Sequence, residues 1–167
     1  ADVVIAAGMG EKAQQLLEEM GIPFTLMSNS VDETYPPGLK AEAIPAYLAR
    51  KKAAALLDQL RDKDILITAD TVVWYKGTSL EKPGNTSEAQ DMLRALSGDW
   101  HEVITAVCIT HRGNHQVISD STRVKFASMS MEEIDYYIRQ YKPFDKAGAY
   151  AIQEWIGWCR IRKIEGS

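Results

Sequence analysis

Ile65-Leu66-Ile67-Thr68-Ala69-Asp70-Thr71-Val72-Val73-Trp74-Tyr75 is the stretch on which the fold turns. β-Branched and aromatic residues dominate it, and these suit a pleated, half-buried surface. The expectation is a strand over residues 65–75. With a two-residue period, Leu66, Thr68, Asp70, Val72 and Trp74 share one face. Asp70 is the anomaly on that face. A carboxylate among apolar neighbours loses hydration, which costs several kcal/mol unless a cation or donors compensate. It is either a structural acid held by backbone amides near a strand end, or a base or metal ligand beside a cleft.

Outward from this strand, strands and helices alternate. The run Val3–Ala7 reads as a strand buried on both faces. Ala13, Leu16, Leu17 and Met20 fall on one helical face closed by Gly21 and Pro23, and Phe24–Met27 reads as a second strand. Residues 28–38 are loop by composition, and a helix over roughly 41–61 follows. Downstream, residues 85–96 form a helix with Ala89, Met92, Leu93 and Leu96 on one face. Residues 103–110 and 116–126 read as strands joined at Arg112-Gly113-Asn114. Ser130 and Glu133 make a capping box ahead of a helix that Pro143 stops. Short strands around 149–153 and 159–164 finish a single mixed α/β domain over residues 1–167.

The bulk properties bound the function. The chain has 167 residues, 46% hydrophobic and 25% charged, with net charge −4. That charge argues against the basic face a nucleic-acid polymer requires. No apolar run approaches the length of a membrane span, and no basic start followed by an apolar stretch marks a signal peptide, so a cytoplasmic protein with no membrane partner is expected. Cys108 and Cys159 lie far apart in apolar segments and read as reduced thiols.

Beyond Asp70, a few residues look chemical. Lys52 interrupts the stripe Ile44, Leu48, Lys52, Ala55 and Leu56; it either snorkels to the helix edge or aims its ammonium at phosphate oxygens. Lys82, in Glu81-Lys82-Pro83, is a further phosphate contact in the same reading. Asp32 and Glu33 are either solvated loop acids or ligands for a hard divalent cation. The segment from Gly8 to Ala13 formally matches a dinucleotide fingerprint, but no acid stands at the second strand's end, and Glu11 places negative charge where a pyrophosphate would lie. His101, His111 and His115 form no metal-binding spacing, and no Ser/His/Asp or zinc-hydrolase pattern appears.

Taken together, several segments resemble the Maf family of nucleoside triphosphate pyrophosphatases. They are Gly21-Ile22-Pro23-Phe24, Val31-Asp32-Glu33-Thr34, Lys52-Ala53, Ala69-Asp70-Thr71-Val72-Val73, Lys82-Pro83, Leu96-Ser97-Gly98 with His101, Val103 and Thr105, and Asp145-Lys146-Ala147-Gly148-Ala149-Tyr150 with Gln153. They occur in family order across nearly the whole chain. The resemblance implies a mixed twisted sheet flanked by helices, with two lobes around a central cleft, often seen as a homodimer. It implies a cytoplasmic hydrolase cleaving a nucleoside triphosphate to the monophosphate and pyrophosphate with a divalent cation, Mg²⁺ or Mn²⁺. Asp70 matches the family's proton acceptor and, with Glu33, its metal-associated acids. Lys52 and Lys82 match lysines that face the phosphates, while Thr71 and Gln153 match positions linked to base selection. The Asp-Lys-Ala-Gly-Ala-Tyr string looks like the dTTP/UTP branch.

The departures cluster near the site. Where the family carries Ser-x-Ser-x-Arg-Arg, this chain has Gly8, Gly10, Lys12 and Ala13. Lys12 retains charge for substrate binding but not the bidentate fork of an arginine. Glu81 replaces a glycine before Lys82, and Ala106 and Ala151 replace two others. Family members also continue into an Asn-x-x-Gly-Leu-Pro segment and a last helix that this chain is expected to lack. A weakened or non-catalytic nucleotide-binding protein on the same fold is therefore the alternative to an active enzyme, with a dinucleotide-binding module behind it.

Overall fold

A computed structural model describes residues 2–6, 11–28, 31–151 and 161–166. The elements run β1 (Asp2–Ala6), α1 (Glu11–Glu19), β2 (Phe24–Met27), α2 (Ala43–Leu56), β3 (Asp64–Tyr75), β4 (Thr78–Leu80), α3 (Thr86–Leu96), β5 (Trp100–His111), β6 (Asn114–Phe126), α4 (Met131–Tyr141) and β7 (Ile161–Gly166). The strands form a mixed sheet in the order β2-β1-β3-β5-β6-β7, with β4 added beside β3. Two compact units divide the chain: residues 1–70 with 105–120, and residues 71–104 with 121–167.

The first unit is built on β1, which pairs in parallel with β2 (Val3↔Phe24) and with β3 (Val3↔Ile65). A parallel strand covered on both faces reads as an apolar run, and Val4, Ile5 and Ala6 are all buried. Helix α2 tolerates Pro45 because that residue lies in its first turn, where the amide has no intrahelical partner. Ala49, Ala53 and Leu56 of α2 pack with Val4, Ala6, Leu66 and the free thiol Cys108. The Thr68 hydroxyl donates to the Ala49 carbonyl at 2.8 Å and ties strand to helix. Truncating a buried leucine such as Leu56 or Leu66 in a core of this kind costs about 2–5 kcal/mol.

The second unit gathers Val73, Leu93, Leu96, Phe126, Ile134 and Tyr137 into its own core. Asn85 caps α3 by accepting from the Glu88 amide, and the reciprocal Ser130/Glu133 box opens α4. Deep in this core His101 Nε2 lies 2.6 Å from the Tyr150 hydroxyl, with Phe126 edge-on to Tyr150. Loss of solvation pushes His101 down from 6.5 to about 4, partly opposed by the Asp99 charge. Burial pushes the Tyr150 phenol up.

The sign of the resulting pH dependence follows directly. Between about pH 6.5 and 4 the unfolded chain binds a proton at His101 that the folded chain refuses, so stability falls as pH falls. The whole span is worth about 3 kcal/mol. Urea titrations from pH 7 to 4.5 should show this slope in the parent protein and a flatter one in His101→Gln; equal slopes would remove the histidine as its cause.

Most of the expected elements are present, with corrections at the edges. The turn at residues 112–113 is a two-residue connection with both φ angles positive, Arg112 at 51° and Gly113 at 78°, so β5 and β6 are longer than expected. The same geometry at Lys76 (49°) and Gly77 (76°) makes the hairpin to β4, which the alternation of residues had not revealed. α2 spans only 43–56 and passes into a 3₁₀ turn at Leu57–Gln59. Ala55 is exposed, while Ala49 and Ala53 are buried, because small side chains let the helix be covered over a wider arc than one stripe. On α1, Leu16 is 52% exposed and Met20, just beyond, is 63% exposed, so that apolar face is only partly covered. The strand expected near 149 does not begin there. Gly148 (φ 69°) and Ala149 (φ 65°) are left-handed and belong to a 3₁₀ turn, a conformation no strand can contain. Tyr150 has extended backbone but lies in no strand, and residues 152–153 of that expected strand, with Cys159, lie outside the described residues, as do Gly8 and Gly10.

Candidate functional site

Three elements of the first unit converge: the loop 31–34, the middle of α2 and β3 as far as Asp70. Lys52 projects from α2, donating to Asp70 Oδ1 at 2.9 Å and to the Ala69 carbonyl at 3.3 Å. Its ammonium also stands 3.9 Å from Glu33 Oε1. The Asp70 side chain is only 10% exposed and that of Lys52 20%. The cation and hydrogen bonds that a half-buried Asp70 requires are thus supplied, and Lys52 does not snorkel away from it. Removing one member of such a pair costs more than the pair is worth, because the other is left desolvated.

Beside this cluster lies a second one, in which Asp32, a candidate cation ligand by sequence, meets Lys51, a residue with no sequence signal of its own. Lys51 Nζ donates to Asp32 Oδ1 at 2.6 Å, to the Thr34 carbonyl at 3.0 Å and to the Thr34 hydroxyl at 3.3 Å. Asp32 Oδ1 also accepts from the Thr34 amide at 3.2 Å and from the Thr34 hydroxyl. The hydrogen bond from Lys51, reinforced by those from Thr34, holds the Asp32 carboxyl down at about 2. These contacts engage Asp32 in holding its own loop, whereas Glu33 is the acid beside Lys52. Two consecutive lysines opposite two consecutive acids was the signal available in the sequence.

The other expected site residues divide by location. Thr71 and Lys82 belong to the second unit, both exposed. Lys82 follows Glu81, whose carbonyl accepts from the Gly148 amide at 3.3 Å. The side chains of Lys12 and Gln153 lie outside what the structure describes. The structure therefore brings Glu33, Lys52 and Asp70 together. Among the described residues no group of three or more His, Cys, Asp or Glu side chains is arranged to hold a metal ion. No described helix is long and apolar enough to cross a membrane.

The second unit also has an open hollow of about 300 Å³ lined by Trp74, Lys76, Trp100, Glu102 and Arg123 among others. Its charges have partners within the unit. Arg123 lies over the Trp100 ring at 4.5 Å and binds Glu165 at 2.9 Å, Lys76 approaches Asp99 at 3.7 Å, and Ser121 donates to Glu102 at 2.9 Å.

With this geometry in hand, the chain can be set beside known proteins. A family profile described as "Maf-like protein" matches residues 8–167. The chain belongs to the Maf family. Its Maf relatives include the dTTP/UTP pyrophosphatase of Phocaeicola vulgatus, 48% identical over 98% of this chain and 86% of the relative. The dTTP/UTP pyrophosphatase of Porphyromonas gingivalis is 46% identical over 98% of this chain and 84% of its own length. Among solved structures, the Staphylococcus aureus Ham1 protein aligns with a TM-score of 0.55 at 11% identity, covering 75% of this chain and 72% of that one. At that identity the likeness concerns the fold, and it agrees with a mixed sheet flanked by helices.

Proposed function

We propose that this Maf protein hydrolyses dTTP and UTP to the nucleoside monophosphate and pyrophosphate. The observation that carries the reading is the Glu33–Lys52–Asp70 cluster, two carboxylates gathered on one ammonium beside the middle of β3. Its relatives named dTTP/UTP pyrophosphatase supply the choice of bases.

Cleaving the α–β phosphoanhydride needs an oriented water, a proton acceptor and neutralisation of phosphate charge, with little covalent work for the protein. Asp70 is the acceptor in this reading: as the water oxygen bonds to the α-phosphorus, its proton passes to the Asp70 carboxylate, the bridging P–O bond to the β-phosphate breaks and pyrophosphate leaves. Lys52, hydrogen-bonded to Asp70, fixes the carboxylate's orientation and offers positive charge to the phosphate oxygens. Lys82 and Lys12 add further positive charge, while Thr71 and Gln153 read the base. A divalent cation fits the oxygen donors of Glu33 and Asp70, because Mg²⁺ is commonly held by one or two carboxylates plus substrate phosphates, and when bound it would lower the charge on the phosphates and the pKa of a water. The cytoplasm, where nucleoside triphosphates are abundant, is the compartment this reading assigns.

The test is a panel of dTTP, UTP, CTP, ATP and GTP with Mg²⁺, scoring pyrophosphate and orthophosphate separately. Pyrophosphate from dTTP and UTP ahead of the others is the expected result. Orthophosphate alone, or no release from any nucleotide, would overturn it.

A further inference from the structure

Lys51 and Lys52 are neighbours on α2, and Asp32 and Glu33 are neighbours in the loop facing them. Successive helical residues point about 100° apart, so the two lysines leave the helix in different directions. Each meets its own acid, Lys51 with Asp32 at 2.6 Å and Lys52 with Glu33 at 3.9 Å. The first contact is much the tighter, and Lys51 also grips the loop backbone, at the Thr34 carbonyl. Thr34 closes the ring by donating its amide to Asp32.

We propose that Lys51 and Asp32 form a clamp whose work is to hold Glu33 in register over Lys52 and Asp70. They are positioning residues, acting through Glu33 on the cation that the nucleotide pyrophosphatase reading requires; the inference rests on that reading. Three contacts from one ammonium fix the loop on either side of Glu33, so that its carboxylate need not be ordered when cation and nucleotide arrive. Without the clamp, Glu33 keeps its chemistry but loses its place, and the loss appears as weaker cation binding. An exposed pair of this kind adds little to global stability. Its effect is local.

The experiment compares the parent with Lys51→Met and Lys51→Arg in three measurements. Hydrogen exchange of a peptide spanning residues 31–35 is followed without nucleotide and should quicken in Lys51→Met. Binding of Mn²⁺, read from the EPR signal of the free ion, should weaken about tenfold, the lower end of what loss of a ligand-orienting partner costs. In turnover, the Mg²⁺ concentration for half-maximal rate should rise about as much, while kcat at saturating Mg²⁺ stays within about twofold. Lys51→Arg, which keeps the charge and the donors, should restore most of each. Unchanged exchange in Lys51→Met, or faster exchange with unchanged Mn²⁺ binding, overturns the clamp, as does a parent that binds no Mn²⁺. A parent that binds Mn²⁺ yet releases no pyrophosphate defeats the pyrophosphatase reading, and the exchange and Mn²⁺ measurements still decide the clamp.

Discussion

Asp70→Asn is expected to lower the rate of pyrophosphate release by about 10²–10⁴-fold, the usual range for loss of a positioned general base. The substitution preserves the shape of the side chain. Its amide oxygen can still accept from Lys52, whose ammonium retains Glu33 at 3.9 Å and the Ala69 carbonyl at 3.3 Å. The folded structure should therefore survive, with circular dichroism unchanged. What is lost is the carboxylate's ability to take a proton. Because Asp70 is also one of the two carboxylates that would hold the divalent cation, the Mg²⁺ concentration for half-maximal rate should rise as well. A variant retaining activity within about tenfold of the parent would show that Asp70 is a structural acid.

Gly148→Ala should be the most destabilising small substitution in the second unit, at about 3 kcal/mol. Two costs add. A residue with φ of +69° strains any side chain by about 1 kcal/mol relative to glycine. A Cβ at that position would lie 2.8 Å from Val73 Cγ2 and 3.0 Å from two further Val73 atoms, inside the buried core, and overpacking of that kind costs about 1–3 kcal/mol. Val73 is itself 3% exposed and has nowhere to retreat. The double variant Gly148→Ala with Val73→Ala should therefore be less destabilised than the two single effects summed. Denaturant melts measure all four proteins; strict additivity would mean the contact is not the cause. Because the Gly148 amide bonds the Glu81 carbonyl, the same substitution should also loosen the segment that presents Lys82.

Much of this architecture is legible in the amino-acid sequence. The strand at residues 65–75 could be read because β-branched residues and alternation reinforce each other there, and the helix opened by Ser130 because its cap and its apolar period agree. What stayed hidden depended on backbone angles and on neighbours distant in the chain. Lys76 and Arg112 adopt left-handed turns that residue type alone would not predict. The wide burial of α2 depends on which alanines meet β1 and β3. At the site, Asp70 and Lys52 drew notice because each broke an apolar pattern. Lys51 broke none, since a charged residue on a helix flank is ordinary, and its pairing with Asp32 at 2.6 Å emerges only in the folded chain. Glu33 and Lys82 were open candidates by residue type, and the family resemblance gave them their roles, because a lone loop acid or lysine carries no pattern of its own.

The division of the chain has a consequence for the order in which it folds. Neither compact unit is continuous: the first takes residues 1–70 and then 105–120, and the second takes 71–104 and then 121–167. The β5–β6 hairpin closes through a two-residue turn and can form within microseconds. The parallel pairing of β1 with β3 must wait for a partner roughly 60 residues away, where loop closure is slow. A ribosome releasing this chain from its N-terminus cannot complete the first unit until Asp120 has emerged. By then about two-fifths of the second unit has been synthesised, so the chain segments of the two units emerge interleaved rather than in succession.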